Sequence, residues 1–228
     1  MRDRLLAALG ALIILGALVI IWGARSTVDR AVYVSEMGAT GEPTAGWFQV
    51  GMLCIVAGAT LIAWSGRRLR SGPRLLAVWT PAVSLWISSA FFLVSSQVTC
   101  TPGCPLPVGA SFTWQDFTHT LVAVLAFAAA CWAMLQCSFA VGHPALRRFS
   151  LTAAISVAVI AAAGGLMSLF RWNATFGSYL EHVATTIGLA WILVLGLVLA
   201  FGPEHRRRAA AGTAAPHPDH AEAVAASR

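Results

Sequence analysis

Six stretches of the chain carry no formal charge: Leu5–Trp22, Phe48–Ser65, Leu75–Ser95, Leu121–Ala140, Leu151–Phe170 and Val183–Phe201, each 18 to 21 residues long. At 1.5 Å rise per residue, about 20 residues cross a hydrocarbon layer of roughly 30 Å. Backbone inside lipid must satisfy its own hydrogen bonds, so such runs predict helices. The pattern predicts an all-α, polytopic membrane protein. A bundle of six transmembrane helices, at about 5–22, 48–65, 75–95, 117–140, 151–170 and 182–201, fills a domain over 1–202. The segment 203–228 is rich in Ala, Pro, His and charge, with little to bury, and reads as a disordered cytoplasmic tail.

Finer features follow from the same pattern. Pro81 lies one turn into the third run and predicts a kink that frees a carbonyl near Ala77. Gly10, Gly16, Gly51, Gly58 and the run Ala161–Gly165 predict close helix approach. Trp22, Trp47, Trp114 and Trp172 mark one water boundary and Trp64 and Trp79 the other. Trp86 and Trp191 lie deeper and read as interhelical packing.

Composition narrows the class. Hydrophobic residues make up 58% and charged residues 11%, against about 25% charged in soluble domains. Six helices and short links leave no room for a separate soluble domain. The net charge of +6 raises nucleic acid as a partner, but the placement of the arginines argues against it. Arg2, Arg4, Arg67, Arg68, Arg70, Arg74, Arg147, Arg148, Arg206, Arg207, Arg208 and Arg228 fall on one side of the predicted bundle, and Arg25, Arg30 and Arg171 on the other. The positive-inside rule then puts both termini in the cytoplasm. Every basic residue is arginine, which reads as a GC-rich bacterial coding bias, so the expected location is a bacterial plasma membrane, multi-pass. The first apolar run is too long for a usual signal peptide, and Trp22 would stand where cleavage before Arg25 needs a small residue. It is expected to stay as a helix.

Cysteines divide by position. Cys54, Cys131 and Cys137 fall inside apolar runs and behave as small hydrophobes. Cys100 and Cys104 flank Thr-Pro-Gly in the second outer loop. Pro-Gly favours a tight turn, and the outer face of a bacterial membrane is oxidising. A Cys100–Cys104 disulfide is expected. Free thiols and metal ligation are the alternatives, the latter needing two further ligands.

The remaining polar residues cluster at the outer loops and helix ends: Asp29, Glu36, Glu42, Asp116, His119, Glu181 and His182. One reading makes a site under the outer surface from Glu36, Asp116, His119 and Glu181 or His182, adjacent positions about 100° apart of which one at most faces inward. No cofactor motif stands out; zinc is the metal candidate, through His119, His182 and Asp116, with an open position for water. Without metal, the same groups can move protons or hold a polar headgroup. The other reading is structural: Asp116 and Glu181 in the first turns of helices four and six offset the helix dipole, and Thr113 or Ser178 cap them. Asn173-Ala-Thr175 matches a glycosylation acceptor and reads as accidental. His205, His217 and His220 belong to the solvated tail.

Tyr33-Val-Ser-Glu-Met-Gly-Ala and Glu42-Pro-Thr-Ala-Gly-Trp-Phe-Gln-Val-Gly51 together resemble the bacterial membrane family catalogued as domain of unknown function 998. That family shows an Ile/Val-Ser-Glu/Asp-Leu-Gly turn after helix one and a Pro-x-x-x-x-Phe-x-x-Gly segment entering helix two, matched here by Pro43, Phe48 and Gly51. Asp116-Phe-Thr-His119 fits its recurrent Asp-x-x-His. The resemblance covers about residues 5–202 and implies six helices. At helix six many members carry a Gly-x-x-Gln-Arg segment, where this chain has Gly177-Ser-Tyr-Leu-Glu181-His182. The family is distantly similar to the DRAM and Sfk-type membrane proteins, which implies a lipid-linked role.

The function expected is non-catalytic: binding or organising lipids or partners at the outer face. Membrane lipids are the expected partner, with a second copy of the chain or an envelope protein as candidates, and no nucleic acid. A zinc-dependent intramembrane lipid hydrolase using His119, His182, Asp116 and Ser84 or Ser88 is the enzyme alternative. A small-solute transporter is the other, though none of the runs carries the charge that ion coupling uses. Haem ligation by His119 and His182 is a minor reading.

Overall fold

The computed structural model describes residues 1–105, 109–141, 144–170 and 172–202. The tail over 203–228, with its histidines and arginines, and Arg171 lie outside the described residues.

Six α-helices carry the described chain: α1 (Arg2–Ser26), α2 (Ala45–Ser65), α3 (Pro81–Gln97), α4 (Trp114–Ser138), α5 (Pro144–Leu169) and α6 (Ala174–Phe201), with single 3-10 turns at Ser35–Gly38 and Gly109–Ser111. One isolated bridge, Ser71 to Ala140, is the β-type pairing among the described residues. All of the helices except α3 are long and apolar enough to cross a membrane. Each helix packs on its neighbours in sequence, and α6 returns to pack on α1, so the six form a closed ring.

The tightest seam of the ring joins α1, α2 and α6. A Cβ on Gly10 would meet the Gly58 carbonyl oxygen at 2.8 Å, one on Gly58 the Gly10 oxygen at 2.9 Å, and one on Gly196 the Ala7 oxygen at 3.2 Å. Backbones this close gain dispersion contacts that lipid cannot supply. Gly51 and Gly164 also face neighbouring helices, whereas Gly16 and Gly165 face open space and carry no packing role.

The third helix departs from expectation. Leu75–Ser95 is not one helix: residues 74–77 turn, and α3 begins at Pro81 and has 17 residues. Pro81 stands at the first helical position, where its missing N–H and fixed φ suit a helix start. Thr80 is extended and its side chain accepts from the Val83 N–H at 3.4 Å. The expected kink is therefore a helix boundary. The non-helical backbone before it is satisfied from α4. Gln136, fully buried, donates from Nε2 to the carbonyls of Leu76 (3.0 Å) and Trp79 (2.9 Å) and accepts from Ser84 Oγ at 2.7 Å. Irregular backbone at membrane depth needs such a partner.

Helix six also starts earlier than expected, at Ala174, capped by Asn173, whose side chain accepts from the Phe176 N–H at 3.1 Å. Asn173 sits at φ +48°, a conformation asparagine tolerates better than most residues. Ser178, offered as a cap, instead donates to the Thr175 carbonyl inside the helix.

Arg67 and Arg147 lie at the end opposite the Cys100 loop, and Arg25 and Arg30 at the Cys100 end. Arg67 pairs with Asp3 at 3.0 Å and stacks over Trp64, Ser65 Oγ donates to the Asp3 carbonyl, and Arg147 Nε donates to the Ser138 carbonyl.

Candidate functional site

At the other end, two loops fold over the mouth of the ring. The first, between α1 and α2, is held by charge. Arg30 contacts Glu36 at 2.5 Å and Glu42 at 3.0 Å. The bond to Glu36 raises the guanidinium above its already high ordinary pKa, keeping it a cation. Tyr33 reaches back to Ser168, and burial raises its hydroxyl above the ordinary phenol value. Thr44 Oγ1 donates to the Met37 carbonyl and closes the 3-10 turn.

The second loop holds Cys100 and Cys104 at disulfide distance, S–S 2.22 Å and Cα–Cα 5.1 Å. Gly103 between them takes φ +78°, the conformation that the second central position of a Pro-Gly turn requires. The loop docks on the first: the Thr40 N–H donates to the Cys100 carbonyl at 2.9 Å, and the Thr40 and Thr99 hydroxyls meet at 3.2 Å.

Asp116 fastens this loop to α4. Its amide donates to Thr113 Oγ1, the helix cap, and its carboxylate accepts from Thr113 Oγ1 (2.6 Å), the Thr101 N–H (2.8 Å) and Thr101 Oγ1 (2.9 Å). It is fully buried. Three bonds to the carboxylate tie it to Thr113, the cap of α4, and to Thr101 in the second loop.

Glu181 is not in the first turn of α6 but more than a turn further in, and its Oε2 accepts from the Val34 N–H at 2.9 Å and from Ser35. It pins the 3-10 turn to α6, so the dipole explanation does not apply to it. His182 turns the other way. Its Nδ1 donates to the Ser178 carbonyl at 2.8 Å, and its ring lies 5.8 Å from Trp22 on α1. The 100° step between adjacent helix positions separates the two side chains.

His119 stays with the ring interior. Its Nδ1 lies 2.7 Å from the Val98 carbonyl and 3.4 Å from Ser95 Oγ, and its Nε2 has no partner. His119 and Glu181 line one cavity of about 100 Å³ in the middle of the bundle. Its walls are mainly apolar, from Phe48, Met52, Phe92, Phe127, Met134 and Trp191 among others, with Ser35, Ser89, Ser95 and Thr185 as polar members. Ser89 Oγ and Thr185 Oγ1 are buried without partners.

Of the five candidate site residues, the cavity takes two. Glu36, Asp116 and His182 are not among its lining residues. The zinc set of His119, His182 and Asp116 does not assemble. Among the described residues, Cys100, Cys104 and His119 do present ligand atoms within 4.8 Å of one another. Sulfurs bonded to each other are not thiolates, the form that binds zinc, so this trio does not fit the ion while the pair is joined. Ser84 and Ser88, the candidate nucleophiles, donate to Gln136 Oε1 and to the Ala126 carbonyl.

Ser89, Thr185 and Gln136 were missed by sequence reasoning. A signal existed for Thr185: Glu181, Thr185, Gly188 and Ile192 recur at helical spacing on one face, and all four line the cavity.

The family model described as protein of unknown function (DUF998) matches residues 5–198, and the chain belongs to that family. No curated protein and no solved structure matches the chain.

Proposed function

We propose that this member of the family is a non-catalytic lipid-binding protein of a bacterial plasma membrane, which holds one apolar chain in its central cavity. The polar end of the ligand sits beneath the two covering loops. The arginine-rich end faces the cytoplasm, so the covered end faces outward.

One observation carries the reading. The cavity is mainly apolar, and three buried polar atoms on its wall, His119 Nε2, Ser89 Oγ and Thr185 Oγ1, have no partner among the described residues. A mostly apolar pocket with a few convergent polar groups is the usual form of a small-molecule site. In hydrocarbon surroundings an unsatisfied hydroxyl or imidazole nitrogen costs free energy that a ligand recovers.

Gly188 gives the test. It lines the cavity, and a Cβ there would meet no heavy atom closer than Met134 Cε at 4.0 Å. Gly188→Phe should fill the space without breaking the fold. Native mass spectrometry of the protein released from detergent should show one lipid-sized adduct per wild-type chain and none on the variant, with the two melting alike. An adduct that persists unchanged on the variant, or a wild type that takes up no amphiphile at all, would sink the proposal.

A further inference from the structure

We infer that the cavity selects an uncharged, single-chain amphiphile ending in a hydroxyl, a long-chain or isoprenoid alcohol, over the carboxylate or phosphate of the same chain. The inference rests on reading the cavity as a chain-binding site and adds the chemistry of the ligand's polar end.

The first argument is the direction of hydrogen bonding. A carbonyl oxygen only accepts, so the 2.7 Å contact to Val98 places the proton of the His119 ring on Nδ1. In the neutral ring Nε2 then carries a lone pair. His119 is 6% exposed, and Nε2 is buried without a partner. The site therefore asks for a donor. Glu181, at the same end, is a second acceptor. Ser89 and Thr185 hydroxyls can donate or accept as they rotate. An alcohol matches this set because it donates once and accepts in return. An ammonium has nothing to accept with and brings a charge to bury.

The second argument is that no counter-ion stands on the described walls. Among the described residues no arginine lines the cavity, and the chain has no lysine. Arg30, on the covering loop, is paired with Glu36 and Glu42, and Arg25, in the last turn of α1, donates to the Val28 carbonyl at 2.7 Å. An anion brought here would be stripped of water beside Glu181 with no cation among the described lining residues to meet it, a cost that an uncharged end avoids. A hydroxyl loses far less on the same transfer.

The third argument is shape. Lining residues run from Glu181 to Ile192 along α6, about 16 Å at the helical rise. A slot that long matches an extended chain laid along α6.

The test holds the chain constant and changes the end. 1-Dodecanol, dodecanoate and dodecyl phosphate are titrated at neutral pH into purified full-length protein in detergent, and binding is read by native mass spectrometry. The alcohol should bind at least tenfold tighter than either anion. The double variant Ser89→Ala with Thr185→Val, which removes two hydroxyls that have no hydrogen-bond partner, should bind dodecanol less tightly, and His119→Phe should abolish the preference. Equal binding of all three, each lost in Gly188→Phe, overturns the headgroup inference and leaves the chain site standing. A tighter anion overturns it by revealing a cation at the mouth. If none of the three binds, the chain-binding reading itself fails.

Discussion

Two buried polar clusters sit at opposite ends of the same ring, and they are built to different rules. Around Gln136 every valence is used: Nε2 serves two carbonyls, Oε1 takes the Ser84 hydroxyl, Ser84 in turn accepts from Trp79 Nε1 at 2.8 Å, and the Gln136 carbonyl accepts from Ser71. On the cavity wall bonds are left open at His119 Nε2, Ser89 Oγ and Thr185 Oγ1, and off it at His182 Nε2. A buried polar group that has all its partners clamps backbone; one that lacks them carries a cost that a suitable ligand would recover. The contrast does not follow residue type, since both sets contain serines.

The largest effect should come from closing off the satisfied cluster. Gln136→Leu strands two carbonyls and a hydroxyl, at about 1–3 kcal/mol for each buried group. Stability should fall by roughly 3 kcal/mol or more, read from the midpoint of unfolding in mixed micelles; an unmoved midpoint would break the comparison. Next is the cover over the open cluster. Cys104→Ser removes a short loop closure worth ~2 kcal/mol and should lower the midpoint accordingly. Reductant should do the same to wild type and nothing to the variant. The smallest effect has the opposite sign. Ser89→Ala or Thr185→Val deletes a hydroxyl that has no partner, so the ligand-free protein should gain up to about 1 kcal/mol. A loss of that size at either position would show that these hydroxyls already have partners.

Much of this was legible beforehand because it depends on run length and turn chemistry alone. The apolar runs give the helices, and Cys-Thr-Pro-Gly-Cys gives the cysteine pair at disulfide distance. Asp116 and Thr113 read correctly as a helix start because capping is local. The errors arise where a longer-range partner decides. Pro81 looks internal until Gln136 is seen satisfying the backbone before it. That one of Glu181 and His182 at most faces inward follows from helical spacing; which one does is decided by the packing of α1, which takes His182 to Trp22 and leaves Glu181 on the cavity. Open valences are invisible to any pattern, since they are defined by contacts that other helices do not make.

The closure of the ring through α1 and α6 sets an order on biosynthesis. A ribosome delivers the helices singly, and the flank of α1 that Gly196 will meet at Ala7 and Ala11 enters the bilayer well before its mate on α6. Until α6 emerges, that flank is solvated by acyl tails. The cavity therefore comes into being in the presence of lipid rather than being found by it afterwards, and a chain could be enclosed at the moment the final helix docks.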